Sequence, residues 1–425
     1  MKKTLLLTTA LVGSMALAQA AMAQEAPAET KPAAEKSPIT VTLGGNAEFT
    51  AGIVDDGDIT KSTGDSTRAQ AMDTDVEAIL YADGKTDSGL TYGAQIQLLK
   101  DANDPEDGDD QQFAYLGGDW GKIEAGDADG AADKLAIYAP NDFGTGGVTG
   151  KYYQYLNSGT IFEGTSGYTE IAAGNKRYKA FDSEAASKIS YYTPRFAGFQ
   201  IGASYAPDGA GQGNRDDRAD FDIATWSGED IDGLYSQATN KAFENYVEVG
   251  ANYEGNFDDV GLAVGGSYVY GGAKGDYFDG TDRYKLENLN AYQVGASVNY
   301  MGFTLGGGYV WQGNSGQAKD TYVDAEKSDG YNFGLQYETG PFIVGANALF
   351  TQNAGYYDGD GAKNNQLDVY SVGATYVVAP GLSTFVEGTF VPTNEGSYYN
   401  AEDETINNYD SNSGSAIIVG TKVEF

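Results

Sequence analysis

Residues 39–54 read ITVTLGGNAEFTAGIV, with apolar and polar side chains alternating along the stretch. Successive residues of an extended strand point to opposite sides, so the apolar side chains share one face. A helix would instead bring every third or fourth residue to one face, so the pattern predicts a β-strand. The alternate apolar positions are Ile39, Val41, Leu43, Ala47, Phe49, Ala51 and Ile53.

About sixteen such segments follow one another to Phe425, each near the length of a membrane-crossing strand (~9–11 residues). The connectors alternate between short turns, such as MG at 301–302, and long loops, such as 207–243. A barrel with short turns at one rim and long loops at the other has connectors that alternate in length in this way. A soluble sheet with one face in water shows the same alternation of apolar and polar residues. A sandwich or a propeller, however, does not require connectors that alternate between short and long. The predicted strands are 39–54, 73–84, 89–100, 111–118, 121–127, 186–194, 198–206, 244–255, 259–270, 288–300, 302–312, 329–339, 341–352, 366–379, 381–392 and 414–425.

Backbone pairing then restricts the fold further. In lipid every N–H and C=O must be paired within the protein, so a membrane-spanning sheet has to close on itself. We therefore predict an all-β fold, a transmembrane antiparallel β-barrel with an apolar outer face and a water-filled lumen. Aromatic residues near both strand ends predict two girdles at the membrane interfaces. They are Phe196, Phe199, Tyr300, Phe303 and Phe342 beside short turns, and Tyr268, Tyr270, Tyr309, Trp311 and Phe350 beside long loops.

The composition excludes several classes of function. The formal charge of −35 argues against a nucleic-acid partner, because phosphates would be repelled. The sequence contains no His and no Cys, so it cannot build Ser-His-Asp or Cys-His nucleophile systems, His or Cys zinc sites, or iron–sulfur clusters. A carboxylate-pair hydrolase stays possible, but acids are too common for any pair to indicate one.

Two minor motifs leave alternatives open. Acidic loop clusters at 55–58, 101–110 and 355–368 could bind Ca²⁺ through oxygen atoms, or they could be solvated loop charge. None has the EF-hand spacing, so we predict no certain metal site and no cofactor. The glycine-rich pieces VGGSYVYGG (264–272) and LGGGYVW (305–311) lack the Gly-Lys-Ser/Thr of a phosphate loop, and they predict close packing or small inward faces.

The N-terminus predicts export from the bacterial cytoplasm. Lys2 and Lys3 precede an apolar stretch, and Ala21-Met22-Ala23 forms a cleavage pattern. We predict a signal peptide over 1–23 with cleavage after Ala23, a flexible periplasmic spacer over 24–38, and a single barrel domain over 39–425. A membrane anchor is the alternative, which the shortness of the apolar run disfavours.

The longest connector, residues 128–185, follows the fifth predicted strand, and we expect it to fold inward and narrow the lumen. The alternative is a long surface loop. We predict a pore constriction that includes Asp127, Asp129, Asp133 and Asp142. Strand parity predicts that Glu48, Asp75, Glu77, Gln95, Gln97, Lys188 and Lys422 face the lumen. Because acids predominate, we predict that the channel prefers cations.

Two stretches resemble a known family. GGDWGKIEAGDADGAADK (117–134) is similar to the start of the third-loop region of Gram-negative general porins, and the chain resembles the alphaproteobacterial branch from residue 39 to its end. GTKVEF (420–425), ending in Phe425, resembles the C-terminal signature of outer-membrane barrels, which the barrel-insertion machinery reads as an assembly signal. The resemblance implies sixteen strands, a homotrimer, and an inward third extracellular loop that forms the eyelet.

The leading functional hypothesis is therefore a general diffusion porin of the bacterial outer membrane, a passive channel for small hydrophilic solutes and ions. The expected partners are other copies in a homotrimer, outer-membrane lipid and lipopolysaccharide, and the insertion machinery. The alternatives are a solute-specific outer-membrane channel and a non-conducting structural or adhesin barrel. An enzyme is not expected, because barrel proteases and phospholipases use His in their sites.

Overall fold

The computed structural model describes most of the chain after residue 38. The described residues are 39–55, 69–101, 109–156, 182–209, 243–274, 276–278, 283–316, 319, 328–353, 365–393, 395–400, 405–410 and 413–425. Ile39–Phe425 forms one compact unit. The predicted signal peptide with Ala23 and the predicted spacer lie outside the described residues, as does most of each acidic cluster.

Strands with alternating faces make up most of the described chain. They are β1 (Ile39–Asp55), β2 (Gln70–Lys85), β3 (Thr91–Asp101), β4 (Asp109–Gly118), β5 (Gly121–Asp127), β6 (Ser187–Tyr192), β7 (Phe199–Asp208), β8 (Phe243–Phe257), β9 (Val260–Ala273), β10 (Asp276–Phe278), β11 (Arg283–Lys285), β12 (Leu289–Tyr300), β13 (Phe303–Gly313), β14 (Ser328–Thr339), β15 (Phe342–Asn353), β16 (Asn365–Ala379), β17 (Leu382–Val391), β18 (Glu395–Asn400), β19 (Thr405–Asp410) and β20 (Gly414–Glu424). The helical pieces are short: α1 (Ala131–Lys134), α2 (Tyr152–Tyr155) and a 3-10 turn (Gly147–Thr149).

Sixteen of these strands form one closed antiparallel barrel in the order β1 to β9, β12 to β17 and β20. The last strand pairs with the first, with Lys422 opposite Glu48. Pairing continues to the chain end, where the backbone of Phe425 exchanges two 3.0 Å hydrogen bonds with Gly45. The prediction of a sixteen-stranded barrel is confirmed.

The sequence did not predict two small hairpins. β10 pairs with β11, and β18 pairs with β19, inside what the pattern indicated were long connectors. A strand of three to six residues is too short to give a clear period of two, which explains why the alternation did not show them.

The two rims of the barrel differ as the connectors predict. Short turns join β2 to β3, β4 to β5, and five later pairs at the rim where β1 begins and β20 ends. Long connections join the other strand ends. The third of these, between β5 and β6, is residues 128–186, which we call the third loop.

The two faces of the wall are inverted relative to a soluble protein. Outward side chains such as Leu305 and Val372 are apolar and 60% and 59% exposed. Inward side chains such as Thr50, Asn332 and Glu387 are polar and buried. An apolar exterior that runs round a closed ring of paired strands fits a lipid surrounding. No helix in the described part of the chain is long and apolar enough to cross a membrane.

Outward aromatic rings pair across strands near both rims. At the short-turn rim the pairs are Phe199–Tyr253 (4.8 Å between ring centroids), Phe303–Tyr337 (4.2 Å) and Phe342–Tyr376 (4.9 Å). At the long-loop rim they are Tyr292–Trp311 (5.1 Å), Tyr331–Phe350 (5.0 Å) and Phe350–Tyr370 (5.5 Å). These two levels are where membrane interfaces would favour amphipathic rings.

A charge on the outward face should therefore destabilise the barrel according to depth. We expect Val294→Arg, in the middle of β12, to cost about 2–4 kcal/mol of folding free energy in lipid, and Tyr300→Arg, at its short-turn end, about 0–1 kcal/mol. Refolding into vesicles with urea titration measures both. Equal costs for the two variants would contradict the assignment of the outward face to lipid.

Candidate functional site

The described parts of the third loop lie inside the barrel, and their contacts extend round the inner wall from β7 to β17 and on to β1 and β2. Near its start the N–H of Ala131 donates to Ser204 on β7 (2.8 Å). Farther along, the N–H of Ala139 donates to Asn332 on β14 (2.8 Å). Beyond Ala139 the N–H of Asp142 donates to Gln336 on β14 (3.0 Å) and that of Gly144 donates to Thr375 on β16 (3.0 Å). The N–H of Val148 then donates to Asn347 on β15 (3.0 Å). The polar inward face thus satisfies the backbone of an irregular segment, which has no ladder of its own.

The bend at 144–147 is held by a glutamate of the wall. Glu387 on β17 has no exposed surface. Its Oε2 accepts the N–H groups of Thr145 (2.8 Å) and Gly147 (3.0 Å) and the hydroxyl of Thr145 (3.1 Å), while Oε1 accepts the Thr389 hydroxyl (3.1 Å). Gly144 and Gly147 have φ of 60° and 62°, the left-handed conformation that glycine adopts without strain.

Apolar side chains of the loop pack where the wall carries glycine. Phe143 is fully buried, and a Cβ at Gly345 on β15 would overlap its ring. A Cβ at Gly295 on β12 would likewise overlap the carbonyl oxygen of Ile137. These glycines inside otherwise regular strands therefore allow close approach of the loop.

A second apolar cluster lies farther along the loop. Val148, Tyr152, Tyr155 and Leu156 pack against inward side chains of the wall. The hydroxyl of Tyr155 donates to Thr50 on β1 (2.5 Å). The wall members of this cluster are Val54, Leu349, Leu367, Val369, Phe385, Val391, Ala416 and Ile418. The loop has thus passed from β7 to β1.

One lysine of the loop meets three carboxylates of the wall. Lys151 lies 3.1 Å from Glu48 on β1 and 3.8 Å from Asp73 on β2, and it donates to Asp75. Burial alone would lower the pKa of Lys151, but the hydrogen bond with Asp75 and the attraction of Glu48 and Asp75 outweigh it, so the pKa is raised above its ordinary value. The lysine therefore stays charged at neutral pH.

A buried glutamate of the wall forms an ion pair with the first turn of the loop. Glu124 on β5 accepts both Lys122 (2.7 Å) and Lys134 of α1 (2.6 Å). The ammonium of Lys134 lies 5.0 Å from the ring centroid of Phe113, and that of Lys122 lies 4.6 Å from Tyr115. One buried carboxylate and two aromatic faces thus stabilise one cation of the wall, Lys122, and one of the loop, Lys134.

The four acids of the predicted constriction lie at the start and middle of the loop. Asp127 is buried at the end of β5 and accepts the Ser187 hydroxyl. Half-buried Asp129 accepts Gln111 of β4 (2.9 Å). Asp133, also half-buried, accepts Tyr138 at 3.3 Å, and half-buried Asp142 accepts the amide of Gln336 (3.0 Å). The structure separates these acids along the loop rather than bringing them together.

The predicted wall residues occupy inward positions, with different surroundings. Glu48 contacts Lys151, and Glu77 accepts the amide of Asn46 (2.6 Å). Gln97 pairs with Gln111, which bonds to the loop, and Gln95 is two residues away on the same face. Lys422 is partly exposed and lies 3.2 Å from Glu424.

Lys188 differs from the other predicted wall residues, because the loop covers it. Its ammonium donates to the carbonyls of Ala128 and Glu184.

Sequence reasoning missed the residues that hold the loop. The sequence pattern does not single out Glu387, Asn332, Asn347, Thr375 or Lys151. The inward parity of the four wall residues was visible in the sequence. Their contacts with the loop could not be predicted, because Thr145 and Glu387 are 242 residues apart and an irregular loop has no period to align with a strand. In the described residues no group of three or more Asp or Glu side chains is arranged to hold a metal ion.

The closed barrel fold has counterparts among solved structures. Residues 8–396 match the family described as Gram-negative porin. The chain belongs to the Gram-negative porin family. This confirms the family resemblance, and the porin is accordingly an outer-membrane channel protein with a multi-pass barrel.

Individual relatives of this porin are distant. An uncharacterized protein of the alphaproteobacterium Rickettsia conorii is 26% identical over 339 residues, 72% of this chain and 74% of that protein. In vitro folded OmpT, an outer membrane protein of Vibrio cholerae in a trimer form, is 11% identical with a TM-score of 0.54, covering 91% of this chain and 99% of that one. An anion-selective porin from Comamonas acidovorans is 16% identical with a TM-score of 0.54, covering 91% and 100%. At these identities the solved structures show the fold alone.

The charge pairing of Lys151 predicts a pH-dependent contribution to the stability of this porin. Lys151→Met should lower the free energy of unfolding by about 2–3 kcal/mol, because three carboxylates of the wall lose the cation that they contact. This cost lies between those typical of surface ion pairs and of fully buried ion pairs. A raised pKa means that the contribution is complete below the ordinary lysine pKa of about 10.4 and is lost as the pH rises through the raised value.

Thermal unfolding of wild type and variant from pH 7 to 12 measures this. The gap in melting temperature should be constant to about pH 10 and should close above it. Lys422→Met, which removes a half-exposed base, should give a much smaller gap. A gap for Lys151→Met that persists unchanged at pH 12 would contradict the electrostatic origin.

Proposed function

We propose that the protein is a general diffusion porin, a passive water-filled channel for small hydrophilic solutes and ions. The observation that carries the proposal is the course of the third loop, which is bonded to the inner wall from β7 to β2. A sixteen-stranded barrel is too wide for side chains to fill. A loop held along the wall narrows such a barrel, and we propose that water and solutes pass beside it.

We further propose that the channel prefers cations. Acids outnumber bases among the described loop and inward side chains, where Lys122, Lys134, Lys151 and Lys188 are each engaged by carboxylates or carbonyls. On the loop, Asp129, Asp133 and Asp142 accept hydrogen bonds from the neutral side chains of Gln111, Tyr138 and Gln336. Charge of one sign at a narrow point selects ions of the opposite sign.

Planar-bilayer recording tests both parts of the proposal. We expect discrete conductance steps and, in a KCl gradient, a reversal potential of the sign for K⁺ preference. Asp133→Asn combined with Asp142→Asn should lower the K⁺/Cl⁻ permeability ratio, because both charges lie on the third loop. Folded protein without conductance would exclude a diffusion porin, and an anion-preferring reversal potential would exclude the cation preference alone.

We also propose a homotrimer that associates through the outward face of β2 to β5. A row of four alanines crosses these strands, and outward aromatic rings are concentrated on the other side of the barrel. A row of small side chains lets a second barrel approach closely along that row. The row is Ala82, Ala94, Ala114 and Ala125. The trimer form of Vibrio OmpT is consistent with this state.

A bulky side chain in this row should break the trimer. Ala114→Trp should shift the protein towards monomers in native electrophoresis and cross-linking. Ala203→Trp is the matched control, because Ala203 is an exposed outward alanine on β7, beside aromatic neighbours. Trimers that survive Ala114→Trp and dissociate with Ala203→Trp would place the interface elsewhere.

The remaining partners follow from the same surfaces. We propose that outer-membrane lipid and lipopolysaccharide surround the aromatic side of the barrel, and that Phe425 is presented to the barrel-insertion machinery. Phe425 is 56% exposed at the short-turn rim while its backbone is paired, so its ring is accessible after closure.

A further inference from the structure

Two buried side chains of opposite charge lie where the third loop leaves the wall and where it returns. Glu248 on β8 is 0% exposed, and Lys188 on β6 is 6% exposed. Strand parity made Lys188 a candidate lumen base, but the loop separates it from the lumen. A buried charge is retained only where hydrogen bonds compensate its desolvation, so the partners of these two groups indicate their role.

Glu248 holds both limbs of the loop with one carboxylate. Its Oε2 accepts the N–H of Ala132 (3.1 Å), on the outgoing limb. Its Oε1 accepts the N–H (3.0 Å) and the hydroxyl (2.5 Å) of Ser183, on the returning limb. Gly130 allows this approach, since a Cβ there would overlap the carboxylate.

Lys188 repeats the arrangement with the opposite polarity. Its ammonium donates to the carbonyl of Ala128 on the outgoing limb and to that of Glu184 on the returning limb. The negative group therefore gathers donors from both limbs, and the positive group gathers acceptors from both. The two charges also attract each other across the base of the loop.

We infer that Glu248 and Lys188 form a clasp that closes the base of the third loop and so fixes where the loop lies in the barrel. Both are positioning residues, and Lys188 does not contact permeating ions. That the position of the loop affects conduction through the channel rests on the proposed function. The existence of the clasp does not rest on it, because the accessibility of the loop can be measured without conduction.

The hydrogen-bond geometry distinguishes this glutamate from Glu387. Both oxygens of Glu248 accept a backbone N–H, so a glutamine would turn its NH₂ towards one of these donors in either orientation. At Glu387 one oxygen accepts all the loop donors, and the other faces the Thr389 hydroxyl, which can reverse and accept. The same substitution should therefore loosen the loop at 248 and leave it in place at 387.

Thiol labelling tests the clasp, because the wild-type chain has no cysteine. Ala136→Cys, on the loop and half-buried, is combined in turn with Lys188→Met, Glu248→Gln and Glu387→Gln. The labelling rate in detergent should rise about tenfold with the first two, as expected for a buried group left without its partner, and stay within twofold with the third. Heat-dependent gel mobility verifies that each barrel is folded. Ser183→Ala, which keeps the backbone bond to Glu248, is the milder variant should either of the others fail to fold, and it should give a smaller rise.

The reversal potential separates positioning from permeation. Lys422→Met removes a partly exposed inward base, so it should shift the reversal potential towards cations without changing the labelling rate. Lys188→Met should change the labelling rate. The inference is overturned if Lys188→Met shifts the potential as Lys422→Met does while labelling stays at the wild-type rate, or if Glu248→Gln and Glu387→Gln label alike. A folded chain that never conducts would refute the proposed function and leave the labelling result valid.

Discussion

The structure depends on one constraint, which is that every backbone N–H and C=O of a membrane-spanning sheet must find a partner inside the protein. The pairing of β20 with β1 meets it by removing both sheet edges. Once the ring is closed, each strand has one face towards lipid and one towards the interior. The period of two in the sequence, the exposed leucines and valines, and the buried asparagines and glutamates all follow from that division.

The same constraint acts a second time inside the barrel. The third loop has no ladder, so its N–H groups need acceptors, and the inward side chains supply them at intervals round the wall. Much of the polar inner face is therefore used for structure before it is available to solutes. An inward charge such as Glu387 or Lys188 belongs to the framework, whereas Lys422 is an inward charge that stays partly exposed.

Alternation alone predicted the strands, because period and face are local properties of a sequence. The sixteen barrel strands agree with the predicted segments to within a few residues at their ends, and the rhythm of connectors predicted which rim carries the long loops. The interior was less predictable. Asp129 and Asp142 could be placed on the loop, but their partners Gln111 and Gln336 could not, since those contacts depend on how the loop crosses distant strands. Parity placed Lys188 inward and could not show that the loop would cover it.

The pairing of Asn46 with Glu424 carries a consequence for biosynthesis. These residues come from opposite ends of the chain, so no shorter nascent piece can complete the ring, and a prematurely terminated product keeps two unsatisfied borders. Such borders recruit other chains and favour aggregation.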